Sequence, residues 1–128
     1  MAEDRNITIK TGLRVVINED PGRVIEFDPL DVLFVERFYA LVRKFDEQEQ
    51  AYKSRIAECV DDPQKAIDTI KDFYTFLTGE IDNVFGAGTS QKITQGAMDI
   101  TALEQFFDGI IPIVEQSRMK KVKKYMVK

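Results

Sequence analysis

The stretch Ile81-Asp82-Asn83-Val84-Phe85-Gly86-Ala87-Gly88-Thr89-Ser90 marks the point where one helical pattern ends and the chain turns toward another. Phe85 supplies a large apolar ring, which predicts that it fills the junction between helices. Gly86 follows the helix, where a left-handed backbone costs glycine least, and Gly88 adds a second permissive joint. We interpret the stretch as a helix end and hinge. Two glycines also leave amides open to an anion, but a Walker-type Lys-Ser/Thr and a full dinucleotide fingerprint are missing.

Three helices are predicted around this stretch. Residues 63–85 carry apolar side chains at spacings of three and four, and Asp61-Asp62-Pro63 supplies a capping carboxylate followed by proline at the first helical position. The same device, Asp28-Pro29, predicts a helix over residues 28–60, either continuous or broken near Asp46.

A polar connector, residues 86–97, is expected to lead to the last helix, residues 99–126. Its cap is either Thr101 in a capping box with Glu104, or Asp99. Pro112 lies inside the helix and predicts a kink or a restart near Asp108-Gly109.

Short alternating segments separated by turn residues precede the helices. Ile7-Thr8-Ile9, Leu13–Ile17 and Arg23–Phe27 are strand candidates, and Asn18-Glu19-Asp20-Pro21-Gly22 is a strong turn signal. The sequence thus predicts a small antiparallel sheet over residues 7–27. The expected fold is mainly α (α+β), a three-helix core with a small N-terminal antiparallel β-sheet, in a single domain of residues 1–128.

The composition argues against catalysis and against bound cofactors. Histidine, the commonest general acid–base and metal ligand, does not occur, and Cys59 is the only cysteine. The carboxylate pairs Asp61-Asp62 and Asp28/Asp31 stand at predicted helix starts, where acids favour the helix dipole, although a metal or acid–base role is the alternative. We therefore expect a protein that is not an enzyme and that needs no metal or cofactor. No apolar run reaches the length of a membrane span, and the polar N-terminus predicts a cytosolic protein.

Charge is distributed unevenly along the chain. The first 117 residues hold twelve basic and all 22 acidic residues, a net charge of −10, whereas residues 118–128 carry +6. A basic end can contact nucleic acid, or it can suit the negative end of a helix dipole. We favour the second explanation because no other basic residues are arranged around this end.

The helix predicted over residues 28–60 offers candidate protein-binding residues. Its first half is apolar nearly all round, and its second half continues as a thin stripe that a small body reaches with difficulty. Self-association is therefore expected, with the edge of the predicted sheet as a second route. The candidate protein-binding residues are Phe34, Phe38, Leu41, Phe45, Tyr52 and Ile56.

Several motifs in this order resemble the tail assembly chaperones of long-tailed phages and prophages of Gram-positive bacteria. The motifs span Val24 to the C-terminus, and Phe-Gly-x-Gly-Thr is the most specific of them. Ser90 stands where many family members carry a cysteine, so no thiol role is implied. The motifs are Ile25-Glu26-Phe27-Asp28, Phe34-Val35-Glu36-Arg37-Phe38, Ile81 to Lys92, Phe106-Phe107-Asp108-Gly109-Ile110-Ile111-Pro112 and a basic end closing on Lys124-Tyr125.

The resemblance implies a non-enzymatic helper of phage tail assembly. Such proteins bind the tape-measure protein in the host cytoplasm before the tube polymerises, with tail tube subunits as a second candidate partner, and they are absent from the mature virion. The alternative is a small nucleic-acid-binding or DNA-packaging accessory protein that acts through residues 118–128. The acidic body argues against this alternative because it repels phosphate.

Overall fold

The computed structural model describes the backbone of residues 3–126 and the side chains of residues 3–119. The chain forms two strands followed by four helices. Their bounds are β1 Leu13–Val16, β2 Val24–Phe27, α1 Val32–Ala57, α2 Pro63–Phe85, α3 Thr89–Thr94 and α4 Ile100–Met126. The predicted fold class, mainly helical with a small antiparallel sheet at the N-terminus, is confirmed.

Strands β1 and β2 pair antiparallel, with Val15 opposite Ile25. The alternate residues Leu13, Val15, Ile25 and Phe27 face the helices, and an Arg14–Glu26 ion pair of 3.1 Å lies on the solvent side. The sheet is smaller than predicted because Ile7-Thr8-Ile9 forms no strand. Three alternating residues supply too few pairs to hold a strand without a partner beside them.

Helix α1 begins at Val32, so the predicted start at Asp28-Pro29 is wrong. The Asp28 carboxylate accepts a hydrogen bond from the Leu30 amide, which makes a turn, and Asp31 caps the helix by accepting from the Leu33 amide at 3.0 Å. The helix continues past Asp46 and ends at Ala57, three residues short of the predicted end. Both aspartates suit a cap, and the chain uses the second because Pro29 is buried in the turn between sheet and helix.

Helix α2 spans Pro63–Phe85, as predicted. Asp62 accepts a hydrogen bond from the Lys65 amide at 3.1 Å, and Pro63 occupies the first turn. Gly86 ends the helix with φ 114° and ψ 152°. This conformation is nearly exclusive to glycine, but it is not the left-handed helical one that we predicted. Gly88, with φ 87° and ψ −4°, adopts the left-handed conformation instead.

The segment predicted as a polar connector contains helix α3, which was not predicted from the sequence. Thr89, Ser90, Ile93 and Thr94 are buried although three of them are polar. Their hydroxyls are satisfied inside the fold: that of Ser90 contacts Asp82, that of Thr89 donates to the Gly86 carbonyl, and that of Thr94 bonds Tyr74. Burial of these residues is therefore compatible with their polarity.

Helix α4 begins after Asp99, whose carboxylate accepts from the Thr101 amide at 2.9 Å, so Asp99 rather than Thr101 provides the cap. The helix runs through Pro112 without interruption, and the predicted restart near Asp108-Gly109 is wrong. Because Pro112 has no backbone N–H, the Asp108 carbonyl has no amide to accept from at that position. Both residues lie on the exposed face of the helix. Water can reach that carbonyl, which lowers the cost of the proline.

Candidate functional site

An open apolar groove lies between strand β1 and helix α4. Its volume is about 370 Å³. One wall is the edge of β1 and the turn after it, the other is a stripe of α4, and α3 contributes one side chain. The lining residues are Val15, Val16, Ile17, Asn18 and Arg23 on the sheet side, Ile93 on α3, and Ala102, Gln105, Phe106, Gly109, Ile110 and Ile113 on α4.

The α4 wall extends over three helical turns. Ala102 to Ile113 covers about 16 Å along the axis at 1.5 Å per residue. Ala102 and Gly109 are the small residues of the stripe, and a Cβ built at Gly109 would meet no atom within 4 Å. The groove is therefore open where the side chains of α4 are smallest.

A clasp between β2 and α3 holds the sheet wall in place. The Arg23 guanidinium donates to the carbonyl oxygens of Lys92 at 2.6 Å and Ile93 at 2.9 Å, which lie in the last turn of α3. Lys92 Nζ returns a hydrogen bond to the Val24 carbonyl at 2.8 Å. Cations at a helix C-terminus are stabilised by its carbonyls, so the clasp fixes the sheet on α3.

The predicted hinge stretch supports the same region from below. The ring of Phe85 is 9% exposed and lies within 6.0 Å of four other rings: Phe27, Phe34, Phe38 and Phe106. Phe106 is also part of the groove lining, so Phe85 supports the groove from inside the core. The carboxylate of Asp82 accepts from the Ser90 amide at 2.8 Å and from its hydroxyl at 3.1 Å, which fixes the start of α3.

Four of the six candidate protein-binding residues lie inside the chain's own core. Phe34, Phe38, Leu41 and Phe45 are buried against α2, α4 and the sheet, so they form no exposed binding surface in this fold. The prediction assumed that one small body could not cover them, but the phenylalanines of α2, α4 and β2 supply the missing volume.

The remaining two candidates, Tyr52 and Ile56, are half-buried. Tyr52 stacks on Phe73 with a centroid separation of 4.6 Å. The thin stripe on the far half of α1 is therefore partly covered by α2.

The basic end is described only at its beginning. The Arg118 guanidinium donates to the Tyr39 hydroxyl at 3.1 Å and lies 5.4 Å from the centre of that ring. This contact attaches α4 to α1 and agrees with a structural use of that first basic residue. The side chains of residues 120–128, which carry the other five basic groups, lie outside the described residues.

The described residues contain no cluster of three or more His, Cys, Asp or Glu side chains suited to a metal ion. Within the same residues, no helix is long and apolar enough to cross a membrane. The groove between β1 and α4 is a concave feature with a largely apolar lining, which is suited to apolar side chains.

Most of the sequence matches a family whose function is unknown. A family model described as "Family of unknown function (DUF6673)" matches residues 21–128, which include β2 and all four helices. Residues 1–20, with strand β1, precede the match. No curated protein and no solved structure matches the chain.

Proposed function

We propose that this chain, which belongs to the DUF6673 family of unknown function, is a tail assembly chaperone that binds the tape-measure protein before the tail tube polymerises. The proposal combines the resemblance carried by the Phe85-Gly86-Ala87-Gly88-Thr89 element with one structural observation. That observation is the open apolar groove between β1 and α4.

The groove suits anchor side chains of an amphipathic helix. Helices that bind in grooves insert residues at positions i, i+3 or i+4, and i+7, which together cover about 10 Å of helix axis. The α4 stripe from Ala102 to Ile113 is longer than this. The volume of the groove, about 370 Å³, is at the small end of the range for binding sites, so the groove accepts a few side chains and not a whole helix.

A tape measure is a suitable occupant because its long helix carries an apolar stripe that aggregates while uncovered. The net charge of −10 on residues 1–117 favours a client with basic residues beside that stripe. The proposed action requires no bond to be broken and no cofactor. Tail tube subunits are a possible second client, the place of action is the host cytoplasm, and the chaperone leaves before the virion is complete.

Gly109 allows the groove to be blocked without harming the fold. Gly109→Leu places a large side chain in the opening, and leucine is also about 0.8 kcal/mol more favourable than glycine within a helix. Gly79→Leu is a matched control, because Gly79 is an exposed glycine inside α2 whose built Cβ meets no atom within 4 Å and which does not line the groove. The thermal unfolding midpoint of each variant should equal or exceed that of the unmodified protein.

The test is co-expression of each variant with a helical tape-measure fragment, followed by measurement of the soluble fragment and of its binding by calorimetry. We expect Gly79→Leu to retain binding and Gly109→Leu to weaken it at least tenfold. Equal binding by the two variants would remove the groove from the proposal. Failure of the unmodified protein to keep the fragment soluble would contradict the chaperone function itself.

A further inference from the structure

The segment preceding β1 carries apolar side chains that no other part of the same chain buries. Ile7 is 83% exposed and Ile9 is 80% exposed. Within residues 3–126, the backbone of Ile7-Thr8-Ile9 pairs with no strand, and the Thr8 hydroxyl accepts a local hydrogen bond from the side-chain amide of Asn6. Two isoleucines at a spacing of two residues lie on the same side of an extended chain.

Strand β1 has an unpaired edge that such a segment could pair with. The described sheet has two strands, so one edge of β1 is unpaired among residues 3–126. The Ile17 amide donates to the Arg23 carbonyl at 2.9 Å, and the antiparallel register then makes Val15 the next residue bonded to β2. The backbone groups of Arg14 and Val16 therefore point away from β2, toward the free edge.

This alternation determines which side chains an added strand would direct into the groove. Residues hydrogen-bonded to Arg14 or Val16 would share the solvent side with them. Their neighbours would lie beside Val15 and Ile17, above the α4 wall. A segment that is apolar, polar, apolar meets this requirement when its central residue makes the backbone bonds, as Thr8 does between Ile7 and Ile9.

We propose that Ile7-Thr8-Ile9 of a second copy of this chain pairs antiparallel with the free edge of β1 and places Ile7 and Ile9 in the groove. Reciprocal exchange gives each copy one donated and one received strand, which closes a two-fold dimer. Lys10-Thr11-Gly12 forms no hydrogen-bonded turn back onto β1, so the segment extends away from its own chain. The exchange does not depend on the proposed chaperone function.

The first test is the size of the protein alone, measured by light scattering over a concentration series. Ile7→Asp/Ile9→Asp removes the apolar anchors, and Thr8→Pro removes the central amide while retaining both isoleucines. Each should raise the dissociation constant of the dimer at least about 100-fold. Val60→Asp is the control, because Val60 is 81% exposed in the turn between α1 and α2 and lies outside the groove, and it should leave the dimer unchanged.

The second test identifies the partner of the segment by disulfide formation between two proteins, each with one cysteine in a Cys59→Ser background. Ile7→Cys or Ile9→Cys, mixed with Val15→Cys, should yield a linked pair of chains. Thr8→Cys should not, because its side chain would face the opposite side of the sheet.

Three results would overturn the proposal. They are a monomer at all concentrations, a dimer insensitive to the aspartate and proline variants, or disulfides that form only when both cysteines occupy one chain. Since no client is present in either test, these outcomes do not affect the groove-blocking experiment with the tape-measure fragment.

Discussion

Replacement of Phe85 by alanine tests whether the junction after α2 is the central packing point of the fold. The ring is 9% exposed and has edge-to-face contacts with Phe27, Phe34, Phe38 and Phe106 at centroid distances of 5.4–6.0 Å. A buried Phe→Ala change costs about 3–5 kcal/mol, because apolar contact is lost and a cavity remains. Each aromatic pair adds about 0.5–1.5 kcal/mol beyond area burial, which favours the upper half of that range.

Urea titration measures this loss directly. With a slope of about 2 kcal/mol per molar urea, a loss of 4 kcal/mol lowers the midpoint by about 2 M. Phe76→Ala is the matched control, because Phe76 is a half-buried phenylalanine on the same helix. We expect it to cost about 1.5–2.5 kcal/mol, half the value of a fully buried phenylalanine. A change below about 0.5 kcal/mol for Phe85→Ala would show that the ring is exposed in solution, and Phe85 would then be a candidate binding residue.

Two other predictions concern the start of α3 and the basic end. Asp82→Ala should lower the free energy of unfolding by about 1–3 kcal/mol, because the Ser90 amide and hydroxyl lose a charged acceptor. Asp82→Asn should lower the free energy of unfolding by less. Equal urea midpoints for Asp82→Ala and the unmodified protein would contradict the role of Asp82 at the start of α3. In a mobility-shift assay we expect only weak nucleic-acid binding at low salt that disappears at physiological salt, since the body carries −10; tight, salt-resistant retardation would favour the DNA-packaging alternative.

Local signals explain which elements could be predicted from the sequence. The predicted bounds of α2 are correct because each end is specified by neighbouring residues in the sequence, Asp62-Pro63 at the start and Phe85-Gly86 at the end. The start of α1 was misplaced because Asp28 and Asp31 are both good caps, and the choice depends on Pro29 being buried after β2. Sequence spacing does not contain that information.

Helix α3 and the groove depend on residues that are distant in sequence. The first turn of α3 is fixed by Asp82 and its last turn by Arg23, 70 residues before Ile93. The groove arises where β1 passes α4, and its only local signal was the pair of small residues, Ala102 and Gly109, on an apolar helical stripe. The four buried residues assigned to protein binding show the same limitation, because an apolar face does not reveal whether its cover is internal.

The two proposed occupants of the groove differ in secondary structure, yet their spacing is similar. Alternate residues of a strand are about 6.6 Å apart, and residues i and i+4 of a helix are about 6 Å apart along the axis. The α4 wall offers Ala102, Phe106 and Ile110 at that helical interval, so it can receive either an isoleucine pair from a strand or two anchors from a client helix. Both occupants need the same space, so binding of one excludes the other. On both proposals, the N-terminal segment covers the apolar groove until a client helix is available, and client binding would then be coupled to dissociation of the dimer.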